Sequence, residues 1–179
     1  MTAISDLDGI PTACSKGYAG IDYLLVGSLN DVVITTDDET KMATIALSTN
    51  AGAPALLTDV FKKYKATKET SSLVSTMTGT PSTGAISYVP VATLLLSGNK
   101  VLAAVELEAL SQGCLVVIAV GFNGEHEIAG VVRGMEMTAN ENTTGTAAND
   151  MRGNTVTLTG SEPKDLYFID QTTLDSLSA

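Results

Sequence analysis

The residue types that could do chemistry are few and scattered. The chain has one histidine, His126, set between Glu125 and Glu127 directly after an Asn-Gly pair. A triad also needs a nucleophile and an acid that orients the imidazole, and the sequence points to neither. His126 is therefore read as a solvated residue at a strand end. Asp37-Asp38-Glu39 could attract a divalent cation, but no Gly-spaced calcium loop follows, so the three acids read as a solvated loop. Glu106 and Glu108 are two apart, which on a helix points them in different directions, so they are not an acid/base pair. Cys14 and Cys114 form no CxxC and have no clustered histidine. Neither a disulfide framework nor a zinc site is expected, only two small buried thiols in a reducing compartment. Asn142-Thr143-Thr144 matches a glycosylation sequon that carries no meaning without secretion. No P-loop, GxGxxG or GxSxG is present. Lys62, Lys63, Lys65 and Lys68 make the one basic cluster, with Phe61 and Tyr64 beside it. In so acidic a chain, docking on an acidic face of a neighbouring copy suits this cluster at least as well as nucleic acid. No catalytic, cofactor-binding or metal-binding residue is assigned, no cofactor is expected, and the chain reads as a non-enzyme.

Composition sets the frame these residues sit in. A chain of 179 residues suits one domain, and 44% hydrophobic residues supply a core. Aromatics are scarce, at 4% with no Trp, so the core must be Val, Ile, Leu, Met and Ala. Twenty-four Thr and 16 Gly favour β-rich structure over a helical bundle. The net charge of −10 gives no general affinity for phosphate and repels anionic membrane surfaces. Such a surface keeps a protein soluble, and it can also line a channel through which a polyanion slides without sticking. The start, Met-Thr-Ala-Ile-Ser-Asp, lacks a basic region followed by an apolar one, and the longest apolar run, Cys114 to Val120, is too short to span a bilayer as a helix. The expected place of synthesis and residence is the cytoplasm.

The pattern along the chain predicts strands at Ile21 to Val26, Asp31 to Thr35 and Met42 to Leu47, with the acidic loop Thr36 to Thr40 between the last two. Asn50 to Pro54 is expected as a turn or loop. Leu56 to Met77 is read as extended. Gly79 to Gly84 forms a hairpin loop, and Ile86 to Leu96 returns as a strand whose Pro90 argues for an edge or a bulge. Asn99 to Ser111 is the one helix expected, capped by Asn99 and ended by Gly113. Cys114 to Phe122 reads as a strand buried on both faces. Asn123-Gly124 signals a hairpin, and Glu127 to Thr138 returns with Gly130 and Gly134 marking bulges or close backbone approach. Asn140 to Asn154 is expected as a polar loop, Thr155 to Thr159 as an alternating strand with Val156 and Leu158 inward, and Leu166 to Asp170 as a last strand. The whole predicts a single β-rich domain over residues 1–179, mainly β, a sandwich or barrel of antiparallel strands with one flanking α-helix and long inter-strand loops.

Several of these signals together carry a resemblance. Leu115 to Gly124, Ile128-Ala-Gly130, Val131 to Gly134, Thr144-Gly145, Asn149-Asp150, Gly153, Thr155 to Gly160 and Glu162-Pro163 resemble the tail tube (major tail) proteins of tailed bacteriophages, especially structural proteins of phages infecting Bacteroidetes. Cys14, Gly17 and Gly20-Ile21 before an apolar strand, and the helix before the buried strand, fit the same order. The resemblance covers the chain loosely, is best over Cys114 to Asp170, and leaves Asn50 to Ser87 unmatched. It rests on turn and strand signals rather than on chemical motifs.

The resemblance implies a virion structural subunit assembled in the bacterial host cytoplasm. Copies would form hexameric rings that stack into a hollow tube, with sheets of neighbouring subunits joined into one inner barrel that hides strand edges. Partners would be further copies, other virion tail proteins and double-stranded DNA in transient, non-specific passage, with no membrane binding. The segments Thr36 to Pro54 and Gly79 to Gly84 would be candidates for contacts between rings. Two other readings stay open: another phage structural protein (a head-tail connector or capsid decoration protein), and a non-catalytic carbohydrate-binding β-sandwich. The last ordinarily needs exposed aromatics, and the chain has no Trp.

Overall fold

The computed structural model describes residues 20–49, 56–65, 70–80, 82, 84–97, 101–144 and 152–178. Over these the chain is mainly β, with a large antiparallel sheet and few helices. The strands are β1 (Ile21–Ser28), β2 (Val32–Thr36), β3 (Ala43–Leu47), β4 (Lys62–Lys65), β5 (Ser72–Thr80), β6 (Ala85–Ser97), β7 (Leu115–Gly121), β8 (His126–Ala129), β9 (Met135–Thr143), β10 (Gly153–Gly160) and β11 (Tyr167–Phe168). The helices are α1 (Leu57–Val60), α2 (Val101–Leu110) and α3 (Gln171–Ser178).

Nine strands form one sheet with two wings. The first runs β4–β1–β7–β8–β11 and the second β9–β10–β6–β5. They meet at the single pair Leu115↔Met135 and through the chain from β8 into β9. β2 and β3 pair separately as a hairpin.

β7 shows why the sequence folds this way. Its residues are apolar on both parities, and every one from Leu115 to Val120 is buried. Val117 and Ala119, with Leu24 and Val26 of β1, pack on one side against Ala92, Leu94, Val156 and Leu158 of the other wing. Val116, Ile118 and Val120, with Leu25 and Ile128, pack on the opposite side under β2, β3, α1 and α3. Each Val, Leu and Ile among these contributes about 1.5–3 kcal/mol by leaving water. One strand thus separates two cores, as its continuous apolar run predicts.

Several expectations are corrected. Leu56 to Met77 is extended in β4 and β5 but opens with the single turn α1. The strand expected over Glu127 to Thr138 is broken at Gly130 to Gly134, where the chain passes from one wing to the other. Gly130 has φ +78°, and a Cβ there would sit 2.6 Å from the Leu115 carbonyl oxygen, so the crossing needs glycine. Pro90 lies in an interior strand and is buried. It is tolerated because β10 pairing stops at Val91↔Thr159 and resumes only with the Tyr88↔Glu162 bridge, leaving no ladder bond for its missing N–H. Asn140 to Asn154 is not all loop: β9 runs to Thr143 and β10 starts at Gly153, because cross-strand pairing extends through these polar residues. The last strand is only Tyr167–Phe168.

The flanking helix is where the pattern predicts it, and a second short helix follows the last strand. The predicted helix is present as α2, with its proposed Asn99 cap outside the described residues, and α3 is additional. Gln-Thr-Thr-Leu-Asp-Ser-Leu-Ser has weak helix propensity. It is held by Asp170, whose Oδ1 accepts the Thr173 amide at 3.1 Å, and by burial of Leu174 and Leu177. The hydrogen bonds from Thr173 keep the Asp170 carboxyl below the usual range.

Candidate assembly surface

β5 is the outermost strand of the second wing, and among the described residues no strand pairs with its outer edge from Ser72 to Gly79. Its first half alternates. Leu73 and Ser75 turn toward the core, opposite Ala92 and Pro90 of β6, and Val74 turns outward opposite Val91. From Thr76 onward the β5–β6 hairpin passes beyond the core and is exposed on both faces. Apolar side chains continue along it all the same: Val74 is 53%, Met77 54% and Ile86 40% exposed. No Asp, Glu, Lys, Arg or His occurs from Ser71 to Ser97.

The edges of the first wing are different. β4 reads Lys-Lys-Tyr-Lys, with all three lysines exposed and the Lys63 ammonium 3.7 Å from the Tyr23 ring centroid. β11 is two residues long, and its Phe168 meets Met42 in an isolated bridge. Lysines and extreme shortness are the devices by which proteins keep sheet edges from pairing with other chains. β5 has neither.

The outer face of the second wing is polar. Thr93, Thr155, Thr157 and Thr159 lie on the parity opposite the buried Ala92, Leu94, Val156 and Leu158. Thr138 extends the row, its hydroxyl 3.0 Å from Thr159 Oγ1, and Glu136 and Glu141 on β9 make the face acidic.

A buried carboxylate fixes the crossing between the wings. Glu162 accepts the Val132 amide at 3.2 Å on either oxygen and the Arg133 amide at 3.0 Å. Its own backbone exchanges two 2.8 Å hydrogen bonds with Tyr88. One residue thus ties the Gly130–Gly134 segment to β6.

The polar residues singled out from sequence fall apart in space. Asp37 accepts the Thr40 hydroxyl and the Glu39 amide, which lowers its carboxyl from the usual range. Asp38 is lowered by its ion pair with Lys164 and by the Tyr167 hydroxyl at 2.7 Å. These bonds fasten the β2–β3 turn to the C-terminal segment. Glu106 and Glu108 are both exposed on α2, and Asn142 lies on β9. Lys62, Lys63 and Lys65 lie on β4, and Lys68 is outside the described residues. Cys114 is exposed, not buried as expected, and Cys14 is outside the description. Among the described residues no group of three or more His, Cys, Asp or Glu could hold a metal ion.

His126 is the clearest correction. It is 5% exposed, with Nε2 2.9 Å from Gln171 Oε1 and its carbonyl accepting the Ile169 amide. The strand-end reading failed because α3, which covers it, had no signal in the pattern. Glu127 alongside has its carboxyl raised by burial first, then by Glu125 and Asp165.

What this surface can do is pair. A nine-residue strand, about 30 Å long, offers a row of backbone donors and acceptors, with apolar side chains on either face of the hairpin. Compared with known proteins, the chain matches no family model, no curated protein and no solved structure.

Proposed function

We propose that the chain is a virion structural subunit that assembles with copies of itself into stacked hexameric rings, forming a tail tube through which DNA passes. The observation that carries the self-assembly is β5: an edge strand without guarding charges that exposes Val74 and Met77 in a protein of net charge −10. The step from self-assembly to a tail tube rests on the sequence resemblance. The acidic, threonine-lined outer face of the second wing suits a lumen, since it repels phosphates. Copies of the subunit, neighbouring tail proteins and passing double-stranded DNA are its partners in this reading, and the virion tail is its destination.

The experiment is negative-stain electron microscopy of the purified chain over a range of concentrations, beside Val74→Lys/Thr76→Lys. Both positions are exposed, so the double variant should fold as the parent does. Tubes of uniform width with a central channel, lost in the variant, support the reading. Rings that never stack favour a connector, and a chain that stays monomeric at every concentration counts against assembly through β5.

A further inference from the structure

The other margin of the second wing is open as well. β9 pairs along its length with β10, and on its far side only Met135 is paired, with Leu115 of β7. From Glu136 to Glu141 no strand lies beside it among the described residues, and four of these six are exposed polar residues. Between α2 and this margin lies a groove of about 350 Å³. Its lining includes Leu107 and Glu108 from α2, Ser111 just beyond that helix, and Met137, Asn140 and Asn154 from the sheet.

We infer that the occupant of this groove is β5 of a second copy, added as a strand along β9 from Glu136 to Glu141, with its core-facing side chains turned in beneath α2. The inference rests on the self-assembly reading above and names the partner edge. Strand polarity supports it. The four strands β9–β10–β6–β5 are antiparallel at each step, so β5 and β9 run in opposite directions and a β5–β9 joint continues the alternation. Both strands are nine residues long. Charge supports it too. β9 carries Glu136 and Glu141 and the groove carries Glu108, so two β9 edges brought together would set carboxylates against carboxylates. β5 has no ionisable side chain of its own, and the carboxylate nearest it, Asp165, accepts the Ser75 hydroxyl at 2.5 Å. Side-chain parity completes the fit: Leu73, Ser75 and Met77 share the core-side face of β5, and Met137 and Asn140 share that face of β9. Met77, half exposed in the single chain, then has an apolar place beside Leu107 and Met137. The joint is β-augmentation, in which main-chain hydrogen bonds supply affinity and a side-chain pocket supplies register. It uses different surfaces on the two copies, so it generates rings or open filaments rather than two-fold dimers.

A mixing experiment tests this. Val74→Lys/Thr76→Lys blocks the β5 edge, and Ala139→Lys/Asn140→Lys blocks the β9 edge; all four positions are exposed. Circular dichroism and melting temperature confirm that both variants fold. Light scattering then gives the mass of each variant alone and of an equimolar mixture. The expected result is a single-chain mass for each variant alone and a two-chain mass for the mixture, because one good β5 and one good β9 remain and growth stops there. If the β9 variant assembles as the parent does, or if the parent itself never exceeds one chain, the pairing is overturned. The tube is judged separately, by microscopy of the parent. Tubes that survive the β9 substitutions overturn the pairing and leave the tube reading standing. A two-chain mixture from a parent that forms channel-less filaments upholds the pairing and sinks the tube.

Discussion

Replacing Glu162 with alanine removes a buried carboxylate that accepts two backbone amides at 3.0–3.2 Å. A hydrogen bond to a charged group contributes about 1.5–3 kcal/mol, and a buried donor left unpaired costs a similar amount. Val132 is 57% exposed, so its amide regains water in the variant and the full sum is not reached. The Glu162 backbone bonds to Tyr88 persist, since neither depends on the side chain. The expected loss is therefore about 2–4 kcal/mol, which for a chain of this size lowers the melting temperature by about 5–15 °C. Glu162→Gln keeps one acceptor oxygen but turns an amide N–H toward a donor, so it should lose roughly half as much. Urea unfolding of all three proteins measures this, the midpoint shifting with an unchanged slope. An alanine variant within about 0.5 kcal/mol of the parent, the range of an ordinary surface change, would refute the clamp.

Two further predictions concern single side chains. The Glu127 carboxyl is raised in the fold, so its contribution to stability is fully present below the unfolded value and is lost as pH rises through the folded one. Glu127→Gln should therefore melt higher than the parent at pH 7 and converge with it below about pH 4, as calorimetry at the two pH values would show. Gly130→Ala should cost about 2–4 kcal/mol, from a positive φ and a Cβ against backbone, whereas Gly124→Ala, with φ +82° and open space, should cost about 1 kcal/mol by denaturant titration.

Much of the fold was legible because its signals are local. The apolar run before Asn123-Gly124 gave β7 and its burial on both faces, and Gly124 takes the positive φ that this turn requires. The alternation of Thr155 to Thr159 placed Val156 and Leu158 in the core. What stayed hidden depends on distant partners. α3 exists because Leu174 and Leu177 find a core built by β1, β7 and β8, and nothing in a Thr- and Ser-rich octamer announces that. The burial of His126 follows from α3 and was lost with it. β9 reaches Thr143 because β10 pairs with it, a preference that the polar side chains themselves do not express. Composition favoured a β protein, but which edge is unguarded depends on topology, since lysines on β4 and neutral residues on β5 mean little until both are known to be edges.

The charge distribution bears on assembly in its own right. Charged residues make up 17% of the chain, so a stretch as long as Ser71 to Ser97 would ordinarily hold about four or five. It holds none. Burial does not account for this along β5, whose residues from Thr76 to Thr80 are exposed in the single chain. An exposed, charge-free edge carrying Val74 and Met77 is an aggregation hazard that a solitary soluble protein has reason to break with a lysine or a proline. The same chain does so at β4, twenty residues away or fewer. Leaving β5 unguarded makes physical sense if the edge is covered once copies meet, and the acid-bearing margin of β9 then steers which edge covers it. In that case guarding β5 should raise the solubility of the single chain while abolishing its assembly.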